Sequence, residues 1–68
     1  MKLQINGEER ELAEGLNLAA LLEQLGMKPD RVAVELNREI VSRHLWSQIR
    51  LRAGDRLEIV QFVGGGWL

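Results

Sequence analysis

Short segments of alternating apolar and polar residues stand on both sides of one segment with a helical period. At the start of the chain, Leu3 and Ile5 alternate with polar residues, which is typical of a half-buried strand. Asn6-Gly7 follows, and this dipeptide is the strongest short signal for a hairpin turn. A second strand is predicted near residues 9–13, so the first part of the chain should form a β-hairpin.

The next segment changes period and predicts a helix over residues 18–26. Four leucines follow the i, i+3, i+4, i+7 spacing of one helix face: Leu18, Leu21, Leu22 and Leu25. Asn17 suits the N-cap, Gly26 suits the position after the C-cap, and Pro29 lies just beyond the expected end. We expect the leucines to pack on the sheet.

The second half of the chain returns to strand patterns. Residues 31–37 alternate as a third strand, a tight turn leads to a short strand around Ile40-Val41, and residues 44–55 are interpreted as a connection. Residues 56–63 form the last strand. Within it, Ile59, Val60, Phe62 and Val63 make a partly continuous apolar run, which is typical of a central strand buried on both faces. The first and last strands are therefore expected to be neighbours.

Composition narrows the classes of function. The 68 residues make one domain, with no cysteine, a single histidine and a net charge of −1. These numbers predict no structural metal site and no nucleic-acid partner. So short a chain can hardly enclose a ligand pocket of about 300 Å³, and no bound cofactor is expected. A charged N-terminus and the absence of an apolar run of about 20 residues argue against a signal peptide and a membrane segment, which favours a cytoplasmic protein. No catalytic constellation is present, so the chain is predicted not to be an enzyme.

Three sequence blocks carry a family resemblance. "INGEE" near the start, "VAVELNREIV" in the middle, and Trp46 with "LRAGDRLEIVQFVGGG" at the end resemble the ThiS family of sulfur carriers of thiamine biosynthesis. The resemblance covers almost the whole chain through Gly66. It implies a β-grasp, ubiquitin-like α+β fold, a mixed sheet of four to five strands with one main helix on one face. The domain would span residues 1–63 and a flexible tail residues 64–68.

The resemblance also implies a chemistry for the tail. In the family, an E1-like adenylating enzyme uses ATP to activate the terminal glycine carboxylate, and a sulfur donor such as cysteine desulfurase converts it to a thiocarboxylate for thiazole synthase. Gly66 would carry the sulfur, while Gly64 and Gly65 would thread the enzyme's channel, where a Cβ would collide. The chain would then be a protein cosubstrate.

Trp67 and Leu68 depart from this pattern, because the family commonly stops at the glycines. The favoured interpretation is that a processing protease removes both residues to expose Gly66. Loss of the carrier role and a cloning addition are the alternatives.

The resemblance places the partner surface on the sheet face beside the tail, with Phe62 and Arg56 as candidate residues. The alternative for Arg56 is a solvated face shared with Arg50 and Arg52. Trp46 is expected to pack at the edge of the core, and His44 to lie on the surface. Two other functions stay open: a molybdopterin-type sulfur carrier with another acceptor, and a non-carrier β-grasp module that binds proteins through its sheet.

Overall fold

A computed structural model describes residues 1–62 and contains a five-stranded sheet with one α-helix against one face. The strands and helix are β1 (Lys2–Ile5), β2 (Glu8–Glu11), α1 (Leu18–Gln24), β3 (Val32–Leu36), β4 (Glu39–Ile40) and β5 (Arg56–Gln61). The sheet order is β2-β1-β5-β3-β4. β1 and β5 are parallel and the other neighbouring strands are antiparallel. The predicted mixed sheet and the pairing of the first and last strands are therefore confirmed.

Two tight turns connect the hairpins. Asn6 and Gly7 have φ angles of 50° and 83°, and Asn37 and Arg38 have φ angles of 51° and 73°. Positive φ at both central residues is the requirement of a type I′ turn, whose twist matches that of the flanking strands. Of these four residues, Arg38 costs the most free energy in this conformation, since residues other than glycine and asparagine rarely adopt it.

The helix is capped as the sequence predicts but is shorter than residues 18–26. The Asn17 side chain accepts a hydrogen bond of 2.7 Å from the Ala20 backbone N–H. The helix ends at Gln24, and Gly26 has a φ of 76°, the left-handed conformation that glycine adopts after a C-cap. Leu18, Leu21 and Leu22 are fully buried and Leu25 is partly buried, so the leucine face covers one side of the sheet.

A 3₁₀ helix, Arg43–Gln48, overlaps the start of the predicted connection over residues 44–55, and the sequence did not reveal it. Another short 3₁₀ helix, Pro29–Arg31, precedes β3. Trp46 is only 3 % exposed, and its Nε1–H donates to the Val41 carbonyl at 3.1 Å. Trp46 thus belongs to the core, as expected.

The prediction that β5 is buried on both faces is wrong. Leu57 and Ile59 point to the helix side and are buried, whereas Val60 is 56 % exposed and Phe62 is 41 % exposed. β5 is central in the sheet, but α1 covers only one face of it. The apolar run therefore reflects two different environments, a core and an open surface.

Candidate functional site

The candidate site is the sheet face opposite α1. Within residues 1–62 no layer covers it, and four apolar side chains reach it from three elements. Two glutamates lie among the four apolar side chains. We call these six residues the open face: Ala33, Glu35, Ile40, Glu58, Val60 and Phe62.

Strand register places these side chains in rows. Val60 lies opposite Ala33, and Glu58 lies opposite Glu35 across the antiparallel β5–β3 pair. Ile40 of β4 pairs with Glu35 on its other side and is 81 % exposed. Single exposed apolar residues are ordinary on a protein surface, but adjacent ones on one sheet face mark an interaction surface.

A shallow groove of about 170 Å³ lies in the centre of the open face. Ala33, Ile40 and Val60 supply apolar walls, and Glu35 and Glu58 lie beside them. The groove is large enough for a side chain, not for a substrate. The open face is therefore suited to contact with another protein.

Phe62 is fixed to the end of the sheet by its backbone. Its N–H donates to the Arg31 carbonyl at 2.7 Å, which continues the β5–β3 pairing one residue beyond the assigned strand. Phe62 therefore has a defined position at the edge of the open face. Gly64, Gly65, Gly66, Trp67 and Leu68, on which the sulfur chemistry was predicted, lie outside the described residues.

Arg56, the other predicted partner residue, is exposed at the opposite end of β5 from Phe62. Six residues at about 3.3 Å each separate them by about 20 Å. Arg56 lies beside an open depression of about 460 Å³ that Lys2, Gln4 and Glu9 also line. The two predicted residues thus share a sheet face but not one patch.

Charge in the described part of the chain is paired at a single place, away from the open face. The α-amino group of Met1 lies 3.0 Å from Glu11 Oε2 and 3.3 Å from Glu14 Oε2, and it donates to the Leu12 carbonyl. The hydrogen bond to Glu11, and then that to Glu14, raise the pKa of this amine above its ordinary value, against the opposing effect of desolvation. This cluster stabilises the start of β1.

Three other predictions concern His44, a metal site and a membrane segment. His44 is exposed. Residues 1–62 contain no group of three or more histidine, cysteine, aspartate or glutamate side chains placed to hold a metal ion. No helix among them is long and apolar enough to cross a membrane.

The family model of the ThiS family matches residues 3–66. This chain belongs to the ThiS family. The ThiS match includes the glycines as well as the folded domain, so it covers both the open face and the predicted sulfur site.

Individual relatives agree with this assignment. The chain is 32 % identical to the sulfur carrier protein ThiS of Escherichia coli, over 97 % of this chain and 100 % of that protein. It is 50 % identical to a thiazole synthase of Paramagnetospirillum magneticum over 97 % of this chain. The chain spans only 20 % of that protein, and 20 % of a thiazole synthase of Magnetococcus marinus that is 42 % identical.

A solved structure shares the fold. The crystal structure of the thiamine biosynthesis protein ThiS from Geobacter metallireducens is 36 % identical, with a TM-score of 0.83, and the match covers 97 % of this chain and 100 % of that one. The β-grasp fold expected from the ThiS resemblance is therefore confirmed.

Sequence reasoning found Phe62 but missed Ala33, Ile40 and Val60 as members of the same surface. The signal was present in the alternation, because Val60 and Phe62 share a parity opposite to that of Leu57 and Ile59. Identifying the surface also required knowledge that α1, the one α-helix within residues 1–62, covers the other face.

Proposed function

We propose that this chain is the sulfur carrier protein of thiamine biosynthesis, with Gly66 as the residue that bears the thiocarboxylate. The observation that carries the proposal is the ThiS family match, which extends through Gly66. The match to the ThiS carrier of Escherichia coli, which covers the full length of that protein, further supports the proposal.

The proposed chemistry activates a carboxylate that is otherwise unreactive. The Gly66 carboxylate attacks the α-phosphorus of ATP in the adenylating enzyme, so an acyl–AMP bond forms and pyrophosphate leaves. A persulfide sulfur from the donor, such as cysteine desulfurase, then attacks the acyl carbon and AMP leaves. Reductive cleavage of the sulfur–sulfur bond by a thiol leaves the thiocarboxylate on Gly66. That sulfur is delivered to thiazole synthase.

This scheme assigns the chain the role of a cosubstrate, with ATP bound by the partner and no cofactor of its own. Gly64 and Gly65 present no Cβ to a narrow channel. Because the carboxylate must belong to Gly66, we propose that a protease first removes Trp67 and Leu68. A cytoplasmic location, where ATP is available, is part of this proposal.

The open face gives this carrier a docking surface. Fixing the tail in a channel costs about 1–2 kcal/mol of backbone entropy per residue, which contacts of the folded domain must offset. Ile40, Val60 and Phe62 are exposed apolar side chains on the sheet, and Phe62 lies two residues before the tail in the sequence. Burying them against the adenylating enzyme would contribute that free energy.

Intact-mass spectrometry tests the proposal. Residues 1–66 and residues 1–68 are incubated with ATP, the adenylating enzyme of the source organism, a persulfide donor and a thiol reductant. We expect residues 1–66 to gain the mass of one sulfur in place of one oxygen, and residues 1–68 to remain unchanged unless cut after Gly66. Unmodified residues 1–66 would refute the carrier role.

The non-carrier binding module makes the opposite prediction for a shortened chain. The open face favours this second candidate as well, since any sheet-binding module would need it. Deleting residues 64–68 should abolish thiazole formation in cells that depend on this chain if it is a carrier. Undiminished growth of these cells without added thiazole would instead support the binding module. If the unshortened chain restores molybdopterin synthesis but not thiazole formation, the molybdopterin-type carrier would be supported.

A further inference from the structure

Two carboxylates face each other on the open face, and neither forms an ion pair within residues 1–62. Glu35 of β3 and Glu58 of β5 are directly opposite in the antiparallel register, where Cβ atoms are about 4.5–5.5 Å apart. Within residues 1–62, the ion pairs that form involve the Met1 amine and not these glutamates. Like charges at such positions destabilise a sheet, so the isolated domain gains nothing from this pair.

The two glutamates lie at an apolar groove that is large enough for one side chain. Ala33, Ile40 and Val60 line the same 170 Å³ groove as the two glutamates. Glu35 is half-buried and Glu58 is exposed, so the two residues differ in their contact with water. An apolar wall ending in two acceptors fits a side chain with a long apolar stem and a cationic end.

We propose that this groove receives one arginine or lysine side chain from the adenylating enzyme. The stem would lie on Val60 and Ile40, and the cationic end would lie between Glu35 and Glu58. Arginine and lysine commonly bury their methylene stems while the charge stays at a polar site. The cation would also remove the repulsion between the two glutamates, so binding relieves a cost present in the free carrier.

This inference rests on the proposed carrier function and names the chemistry of its partner. Activation is the step that the thiamine-type and the molybdopterin-type carrier both require, so the adenylating enzyme is the partner assigned. The groove shares the open face with Phe62, which lies two residues before Gly64 in the sequence, so we assign the ionic contact to the enzyme that takes up the tail.

The test compares two double variants of residues 1–66 that lose the same charge. Glu35→Gln with Glu58→Gln alters the groove, while Glu8→Gln with Glu23→Gln alters exposed carboxylates on β2 and α1, away from the open face. KM and kcat for carrier adenylation are measured with the purified adenylating enzyme, together with urea unfolding of each variant.

We expect the groove variant to raise KM about tenfold, equivalent to about 1.4 kcal/mol, with kcat nearly unchanged. The control variant should change KM less than twofold. The groove variant should unfold at equal or higher urea concentration than wild type, since a like-charge pair is removed. The KM increase should shrink at high salt because the contact is electrostatic.

Four results would overturn the inference. Equal KM values for the two double variants would do so while leaving adenylation of the wild type, and hence the carrier function, intact. A normal KM with weakened binding to thiazole synthase would assign the groove to the acceptor instead. A dimer of the carrier alone that the groove variant disrupts would assign it to a second copy. Failure of wild-type residues 1–66 to be adenylated at all would reject the proposed function and this partner together.

Discussion

Replacing Asn6 should remove about half of the stability of this domain, although the residue is exposed and lies in a turn. Its side-chain Oδ1 accepts a 2.7 Å hydrogen bond from the Ile59 N–H, and its Nδ2 donates to the Ile59 carbonyl at 3.2 Å. The β1–β5 ladder pairs Gln4 and Ile5 with β5. Asn6 therefore extends it with side-chain atoms at the point where the β1 backbone turns away.

The magnitude follows from the groups that lose partners. Each of the two hydrogen bonds contributes about 0.5–1.5 kcal/mol, and an unsatisfied buried backbone group costs about 1–3 kcal/mol. Asn6→Gly keeps the positive φ of 50° and loses both bonds, so we expect a loss of about 2 kcal/mol. A domain of this size has about 3–5 kcal/mol in total. Asn6→Ala should be about 0.5–1 kcal/mol worse than glycine, because its left-handed strain exceeds the entropy cost of glycine.

Urea unfolding followed by far-ultraviolet circular dichroism measures these free energies without interference from Trp67. Amide hydrogen exchange at Ile59 supplies a local check, because its N–H should lose protection in both variants. A matched control is Asn37→Gly, at the other type I′ turn, where the side chain bonds Asp55 and Arg56 across exposed positions. If Asn6→Gly loses less than about 0.5 kcal/mol, the bond pair to Ile59 does not stabilise β5 and the reasoning is refuted.

Three further changes test other parts of the fold. Ser42→Pro should raise the melting temperature by about 2–6 °C. Ser42 has a φ of −63°, and its N–H donates no backbone hydrogen bond within residues 1–62. A lower melting temperature would mean that the turn cannot hold proline. Arg38→Gly should stabilise by up to about 1 kcal/mol and Arg38→Val should destabilise by at least as much, given the φ of 73°; equal urea midpoints for the two variants would contradict this. With Met1 at the free N-terminus, stability conferred by its amine should be complete below the unfolded pKa and decline as pH rises through the raised folded pKa. Urea midpoints between pH 7 and 10 measure this decline, and Glu11→Gln with Glu14→Gln should flatten it; an unchanged slope would exclude the amine as its source.

Local patterns predicted most of the secondary structure because each element is consistent with its own period. The leucine face of α1 and the Asn17 cap could be read directly, as could the Asn6-Gly7 turn. The 3₁₀ helix Arg43–Gln48 could not, since six residues carry too little periodicity and a single buried anchor, Trp46, holds it in place. Short irregular helices depend on packing that a linear pattern does not encode.

The candidate site shows a different limit of sequence reasoning. Hydrophobicity at Val60 and Phe62 cannot distinguish burial by the chain's own helix from burial by a partner, so the apolar run alone predicted a strand buried on both faces. The contact of Asn6 with Ile59 spans 53 positions, and the Glu35–Glu58 pair spans two strands. Both depend on register, which becomes visible only when the strands are placed beside each other.

The parallel pairing of β1 with β5 determines how the molecule can be handled. The Gly54 N–H donates to the Lys2 carbonyl at 2.8 Å, so β1 and β5 begin at the same end of the sheet. From there β5 runs about 17–20 Å toward Phe62. A bead, a dye or an affinity tag coupled ahead of Met1 would therefore sit at the opposite end of β5 from Phe62. Immobilised this way, the molecule would present Phe62 to the solution, at the expense of the charged cluster around its own amine.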